Sequence, residues 1–162
     1  MPSEDFWDAA LKYSDILSNF AAIAGVVALI FLWKQVRLME RTDKGRNTIE
    51  VMNFLQKAEI RSARYHIRTI KDKPVSEFNK VDFEMASLVA SSFDLVGIMA
   101  EKKYIEEEII IDAWGPALIY NNIALAEYIN ARRIKEGPRF WVRFDNITRK
   151  SKEFHSIFTP HQ

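Results

Sequence analysis

The sequence predicts an all-α protein: one N-terminal transmembrane helix followed by a cytoplasmic helical bundle of four to five helices. Three observations carry this. Residues 16–33, ILSNFAAIAGVVALIFLW, contain no charge. Beyond them, apolar residues recur at helical spacing over most of the chain. No long apolar–polar alternation of the kind a half-buried strand needs is present, EEIIID being the only β-like run and a short one.

At 1.5 Å per residue the uncharged run reaches roughly 27 Å, close to the hydrocarbon thickness of a bilayer. Trp7 and Trp33 flank it, where interfacial aromatics belong. A buried core helix can also be apolar all round, but the charge distribution favours the span. Residues 1–33 hold Lys12 against Glu4, Asp5, Asp8 and Asp15, and Lys34, Arg37, Arg41, Lys44 and Arg46 crowd the other side. The positive-inside rule then places the N-terminus outside and the remainder in the cytoplasm. The acidic residues ahead of the run do not suit a cleaved signal peptide. Ala21 and Gly25 form a small-xxx-small pair, which lets membrane helices approach closely. One short span cannot make a pore alone, so any permeabilising role requires self-association.

The expected organisation is a short acidic extracytoplasmic N-terminus (1–15), the span with its juxtamembrane extension (16–42), a cytoplasmic helical domain (43–158) and a tail (159–162). The first helix should break near TDKGRNT, where Asp43, Gly45 and Asn47 supply turn chemistry. Thr48 is then a candidate N-cap for a helix running to about Lys71. KDKPVSEFNK reads as a connector, with Pro74 as a stop and Ser76 or Asn79 as caps. Residues 81–100 read as a buried helix with two stripes: Met85, Leu88, Ser92, Leu95 and Met99, and Ala86, Val89, Phe93 and Val96. Gly115-Pro116 is expected to separate a short acidic-ended helix from a long one over 117–136, which Gly137-Pro138 ends. Phe140, Trp141, Phe144 and Ile147 then carry a last helix to about Phe158.

Several chemistries lack their residues. The chain has no cysteine, so no disulfide, thiolate metal site or cysteine nucleophile exists. Five dispersed glycines make no phosphate loop, and His66, His155 and His161 show no metal-ligand spacing. Glu106, Glu107 and Glu108 are consecutive, which suits a helix N-terminus better than an acid–base pair. The expectation is a non-enzymatic protein with no catalytic residues, no metal and no cofactor.

What remains is charge. In KAEIRSARYHIR, Lys57, Arg61, Arg64 and Arg68 fall in one row along a helix, where like charges repel. Apolar residues flank the row on both sides: Ile49, Met52, Ile60, Ala63, Ile67 and Ile70 on one, Val51, Phe54, Leu55, Ala58 and Tyr65 on the other. Partly buried arginines need anionic partners. Those are either acids of neighbouring helices, such as Asp94, Asp112 or Glu127, or an external anion, for which arginine suits phosphate best. A second concentration comprises Asn121 and Asn122, Arg132 and Arg133, and Trp141. Mid-helix asparagine is unfavourable by propensity. Asn amides can read adenine, and Tyr120 or Trp141 can stack a base. Placement at a helix C-terminus also accounts for Arg132 and Arg133, and core packing for Trp141.

EIRSAR (59–64), FDLVG (93–97), DAWG (112–115), EYINARR (127–133) and GPRFW (137–141) together resemble a family of small bacterial proteins with one N-terminal membrane helix and a helical domain of unknown function. The layout is similar to that of ancillary membrane effectors of type III CRISPR systems. The resemblance implies an inner-membrane antiviral effector whose cytoplasmic domain binds cyclic tetra-adenylate and not DNA. It further implies a homo-oligomer, with a tetramer expected for a ring of four phosphates, whose assembly perturbs the inner membrane. Arg61, Arg64, Arg68, Arg132 and Arg133 would then meet phosphates, and Tyr120, Asn121, Asn122 and Trp141 the adenines. The alternative is a membrane-tethered interaction or scaffold domain with no small-molecule ligand, its arginines serving internal salt bridges.

Overall fold

The computed structural model describes residues 4–158, with side chains over residues 29–156. Six α-helices follow one another, with no strand among the described residues: α1 (Glu4–Gln56), α2 (Ala58–Ile70), α3 (Lys80–Glu101), α4 (Glu107–Ala124), α5 (Ala126–Glu136) and α6 (Val142–Phe158). One 3-10 turn, Val75–Glu77, precedes α3. The chain divides into two compact units, Met1–Thr42 and Asp43–Gln162.

In the first unit, residues 16–33 lie within α1. Leu29, Ile30, Phe31, Leu32 and Trp33 are all exposed, and the Arg37 guanidinium stands 5.1 Å from the Trp33 ring centroid. The side chains of Trp7, Ala21, Gly25 and the rest of residues 16–28, and the tail 159–162, lie outside those described.

The second unit is built on α3, α4 and α6, with α2 packed on α3. Ala86, Val89, Phe93 and Val96 of α3 are fully buried, so the second of the two expected stripes is the core stripe. Of the first, only Ser92 is buried, while Leu95 is exposed. Phe93 stacks on Phe144 of α6 at 5.2 Å between ring centroids. Tyr128 of α5 lies against Phe78, Phe83 and Trp141, at 6.2, 5.9 and 5.6 Å. Such ring pairs add about 0.5–1.5 kcal/mol each beyond area burial.

Two helix ends follow local rules. Asn79 caps α3 in a reciprocal capping box with Asp82, which satisfies two otherwise orphaned backbone donors. Gly137 ends α5 at φ +103°, a conformation costly for residues with a Cβ. The cap of α6 comes from elsewhere: Asp94 of α3 accepts the Phe144 amide at 3.0 Å.

The structure corrects four expectations. There is no break at residues 43–47, and Thr48 is not an N-cap. Its hydroxyl donates to the Lys44 carbonyl at 2.7 Å and accepts the Glu106 amide at 2.8 Å. The Asn47 amide donates to the Tyr104 carbonyl at 3.1 Å. These long-range bonds supply what the weak helix formers at 43–47 lack, and the helical assignment runs through them. The helix expected to continue to Lys71 instead breaks at Lys57 (φ −53°, ψ 143°). At about 100° per residue, buried Val51 and Leu55 would lie nearly opposite buried Ile60, Ala63 and Ile67 on a continuous helix. The break turns both rows into one core.

Gly115-Pro116 does not separate helices, because Pro116 lies inside α4. Proline in a helix interior costs about 3 kcal/mol in isolation, and the packing of α4 on α6 offsets this. The His155 ring of α6 fits where a Cβ on Gly115 would stand, and its Nε2 lies 3.1 Å from the Ile111 carbonyl. The expected 117–136 helix is instead two, bent by 67° between α4 and α5 at Leu125. The bend seats Tyr128 in its aromatic cluster and lets Glu127 accept the Val75 amide at 3.4 Å.

By length and composition, α3 is long and apolar enough to cross a membrane, as are α4 and α5 if the bent pair is counted as one span. In α3 that apolarity includes the core stripe, which packs against α2, α4 and α6.

Candidate functional site

The break at Lys57 positions the basic row. It leaves the carbonyls of the last α1 turn without helical partners, and Arg64 Nη1 donates to one of them, Leu55, at 2.7 Å. The same guanidinium lies over Trp114 of α4, its carbon 4.7 Å from the ring centroid. One turn on, the Arg68 guanidinium lies over Tyr120 at 5.6 Å. Lys57 stands 5.7 Å from the Phe54 ring centroid. Arg61 is exposed and forms no ion pair among the described residues.

What stands opposite the row is therefore aromatic. Among the described residues no carboxylate pairs with Arg61, Arg64 or Arg68. The acids named as internal partners are placed elsewhere. Asp94 caps α6, Glu127 meets Val75, and Asp112 is exposed without an ion pair among the described residues. Arg64 carries the electrical consequence. Burial, then Arg68, then Arg61 lower its pKa below the ordinary guanidinium value. An anion brought to this face would offset the two repulsions, from Arg68 and Arg61, and would find guanidinium donors already in place over aromatic rings.

Beside the arginines lies an open groove of about 630 Å³, lined by Met52, Gln56, Arg68, Trp114, Pro116 and Tyr120 among others. Tyr65, on the flank beside the row, is 69% exposed and presents a ring to solvent, where the sequence suggested a packed apolar flank. Trp114 and Gln56 were not among the sequence candidates. The signal for Trp114 was present in DAWG, as a tryptophan ahead of a helical proline.

The second concentration is spatially and chemically different. Arg133 Nε donates to the Phe140 carbonyl at 2.9 Å, and its Nη2 donates to the Trp141 carbonyl and pairs with Asp145. Asn122 donates to the other oxygen of Asp145 at 2.9 Å. These bonds tie the α5–α6 corner to α4. Arg132 pairs with Glu136 at 3.1 Å and lies 5.3 Å from the Phe140 ring centroid. Trp141 is buried. Asn121 is also buried, its amide donating to the Ala117 carbonyl of its own helix at 2.8 Å. Of the sequence candidates, the fold thus gathers Arg61, Arg64, Arg68 and Tyr120 on one face. Asn122, Arg132, Arg133 and Trp141 gather at a corner where their polar groups are largely occupied.

His66 is placed outside the arginine face, its Nε2 2.7 Å from Oδ1 of buried Asp82, whose Oδ2 takes Lys73 at 2.7 Å. Among the described residues no cluster of histidine, aspartate or glutamate has the makings of a metal site.

A family model matches residues 19–151 of the chain, that of a domain of unknown function designated DUF4760. No curated protein and no solved structure matches.

Proposed function

The chain belongs to the DUF4760 family, and from that premise we propose that it is a non-enzymatic, membrane-anchored protein whose helical domain binds a phosphate-rich ligand on the Arg61–Arg64–Arg68 face. A cyclic oligoadenylate is the ligand class implied by the sequence resemblance, cyclic tetra-adenylate foremost. The observation that carries the reading is a row of three arginines, two of them stacked over aromatic rings, with no carboxylate paired to any of them among the described residues. Arginine forks match phosphate oxygens bidentately, and the exposed Tyr65 and the Tyr120 edge of the groove offer rings to a base.

Residues 16–33 anchor the protein in the bacterial inner membrane, with the helical domain cytoplasmic. A ring of phosphates that meets arginines from several copies favours the assembled state by its differential affinity. Assembly gathers the membrane helices and disturbs the bilayer.

The test is calorimetric titration of the full chain in detergent with cyclic tetra-adenylate, linear tetra-adenylate and inorganic phosphate. Saturable binding of the cyclic ligand is expected, weakened roughly 10- to 100-fold by Arg61→Ala or Arg68→Ala, since a charged hydrogen bond contributes about 1.5–3 kcal/mol. Binding of phosphate alone would retain the anion face and remove the nucleotide. Absence of binding by every probe would overturn the reading in favour of a tethered interaction domain.

A further inference from the structure

α3 has two apolar faces, and the bundle covers only one. Opposite its core stripe run Glu84, Leu88, Ser91, Leu95, Ile98 and Lys102, spaced four and three residues apart and so aligned along one side. Leu95 is 43% and Ile98 38% exposed, Ser91 and Lys102 are exposed, and Leu88 is half-buried. Only 44% of the apolar stretch of α3 is buried, which leaves this side as the uncovered one among the described residues.

The row is symmetric in its chemistry about a point level with Phe93. Ser91 and Leu95 stand two residues to either side of that point, Leu88 and Ile98 five, and Glu84 and Lys102 nine. Turned end for end, it sets a small residue against a large one, aliphatic against aliphatic, and anion against cation. An isologous contact requires this of a surface, because every pairing across a twofold axis occurs twice.

We propose that this face of α3 is the contact between two copies of the chain, packed antiparallel about a twofold axis. Ser91 of each copy receives Leu95 of the other, Leu88 meets Ile98, and Glu84 pairs with Lys102 at both ends. Ser91 supplies the small side chain that lets two helices close to the usual 8–10 Å. A lipid surface is a poorer occupant: anionic headgroups would attract Lys102 and repel Glu84, whose partner within its own helix, Lys80, stands 3.8 Å away. A foreign helix would gain nothing from the symmetry. The inference rests on the assembly half of the function proposed above and not on its ligand, so its test contains no ligand.

The native chain has no cysteine, so introduced thiols report the pairing directly. Full-length Ser91→Cys and Leu95→Cys chains are mixed in detergent and oxidised, with Ser76→Cys, exposed on the turn before α3, as the control. The mixed pair is expected to give a covalent dimer about tenfold faster than the control, because a contact raises the effective thiol concentration. Glu84→Lys or Lys102→Glu in both chains slows this several-fold, and the two reversals together restore it, which a folding defect would not allow. Equal rates for the mixed pair and the control overturn the proposal, as does cross-linking that requires anionic vesicles. Light scattering on the same samples separates the two failures: chains that still assemble without the Ser91–Leu95 link retain oligomerisation and discard this interface.

Discussion

Arg64 of α2 lies over Trp114 of α4, its guanidinium carbon 4.7 Å from the ring centroid, across fifty residues of sequence. Because the same group donates to the Leu55 carbonyl, it holds three elements at one point: the end of α1, α2 and the middle of α4. Arg61 and Arg68 have no such bond to the backbone of another element among the described residues.

The three arginines should therefore separate in folding stability. Arg64→Ala is expected to lower it by about 2–3 kcal/mol, from one charged hydrogen bond and one half-buried cation–π contact. Arg61→Ala should stay within about 0.5 kcal/mol of the native chain. Urea unfolding followed by circular dichroism measures the difference, and equal losses at Arg61 and Arg64 would refute the assigned geometry.

Thr48 gives a second contrast. Thr48→Val keeps the shape but removes from a side chain 2% exposed the acceptor of the half-buried Glu106 amide, at a cost of about 1–3 kcal/mol. Thr48→Ser retains the hydroxyl and should recover most of the loss in the same unfolding assay.

The close helix contacts predict an ordered pair of glycine substitutions. A Cβ at Gly97 would meet the Arg143 backbone, with its carbonyl oxygen at 2.5 Å, and one at Gly115 would meet the His155 ring. A backbone must move as part of α6, whereas a side chain can turn away. Gly97→Ala should accordingly cost about 1–3 kcal/mol and more than Gly115→Ala. Melting temperatures of the two variants test the order.

Asp82 makes the stability depend on acid. The Lys73 hydrogen bond, then the Asn79 amide, hold its carboxyl well below the usual aspartate range, with His66 adding to them against burial. A folded pKa below the unfolded one means that the unfolded chain takes up the proton first. The contribution is complete above the ordinary value of about 3.9, and is lost as pH falls below it toward the depressed folded value. Melting temperature measured from pH 6 to pH 2 should fall on the acid side, and Asp82→Asn should flatten that limb. An unchanged slope in the variant would assign the acid sensitivity to other carboxylates.

How far the sequence could be read depended on distance along the chain. The choice of Asn79 over Ser76 as a cap, and of Ala86, Val89, Phe93 and Val96 as the core stripe of α3, came from the folded chain, whereas the helical class, the Gly137 stop and the alignment of Arg61, Arg64 and Arg68 rest on residues within a turn or two of each other. Spacing and local stereochemistry settle such features, and the sequence alone determined them. The turn residues at 43–47, the helix expected to reach Lys71 and the proline at 116 were read by the same local rules, and there the rules were outweighed. Thr48 is fixed by Glu106, the chain turns at Lys57 so that Leu55 and Ile60 enter one core, and Gly115 and Pro116 remain helical against His155 of α6. What faces the arginines was open for the same reason. A row of cations specifies a need for partners, and only the folded chain decided that Trp114 and Tyr120 stand there while Asp94 and Glu127 serve other helix ends. Tertiary burial settles such choices because the energy of enclosing a core exceeds the few tenths of a kcal/mol to about 3 kcal/mol at stake in any local preference.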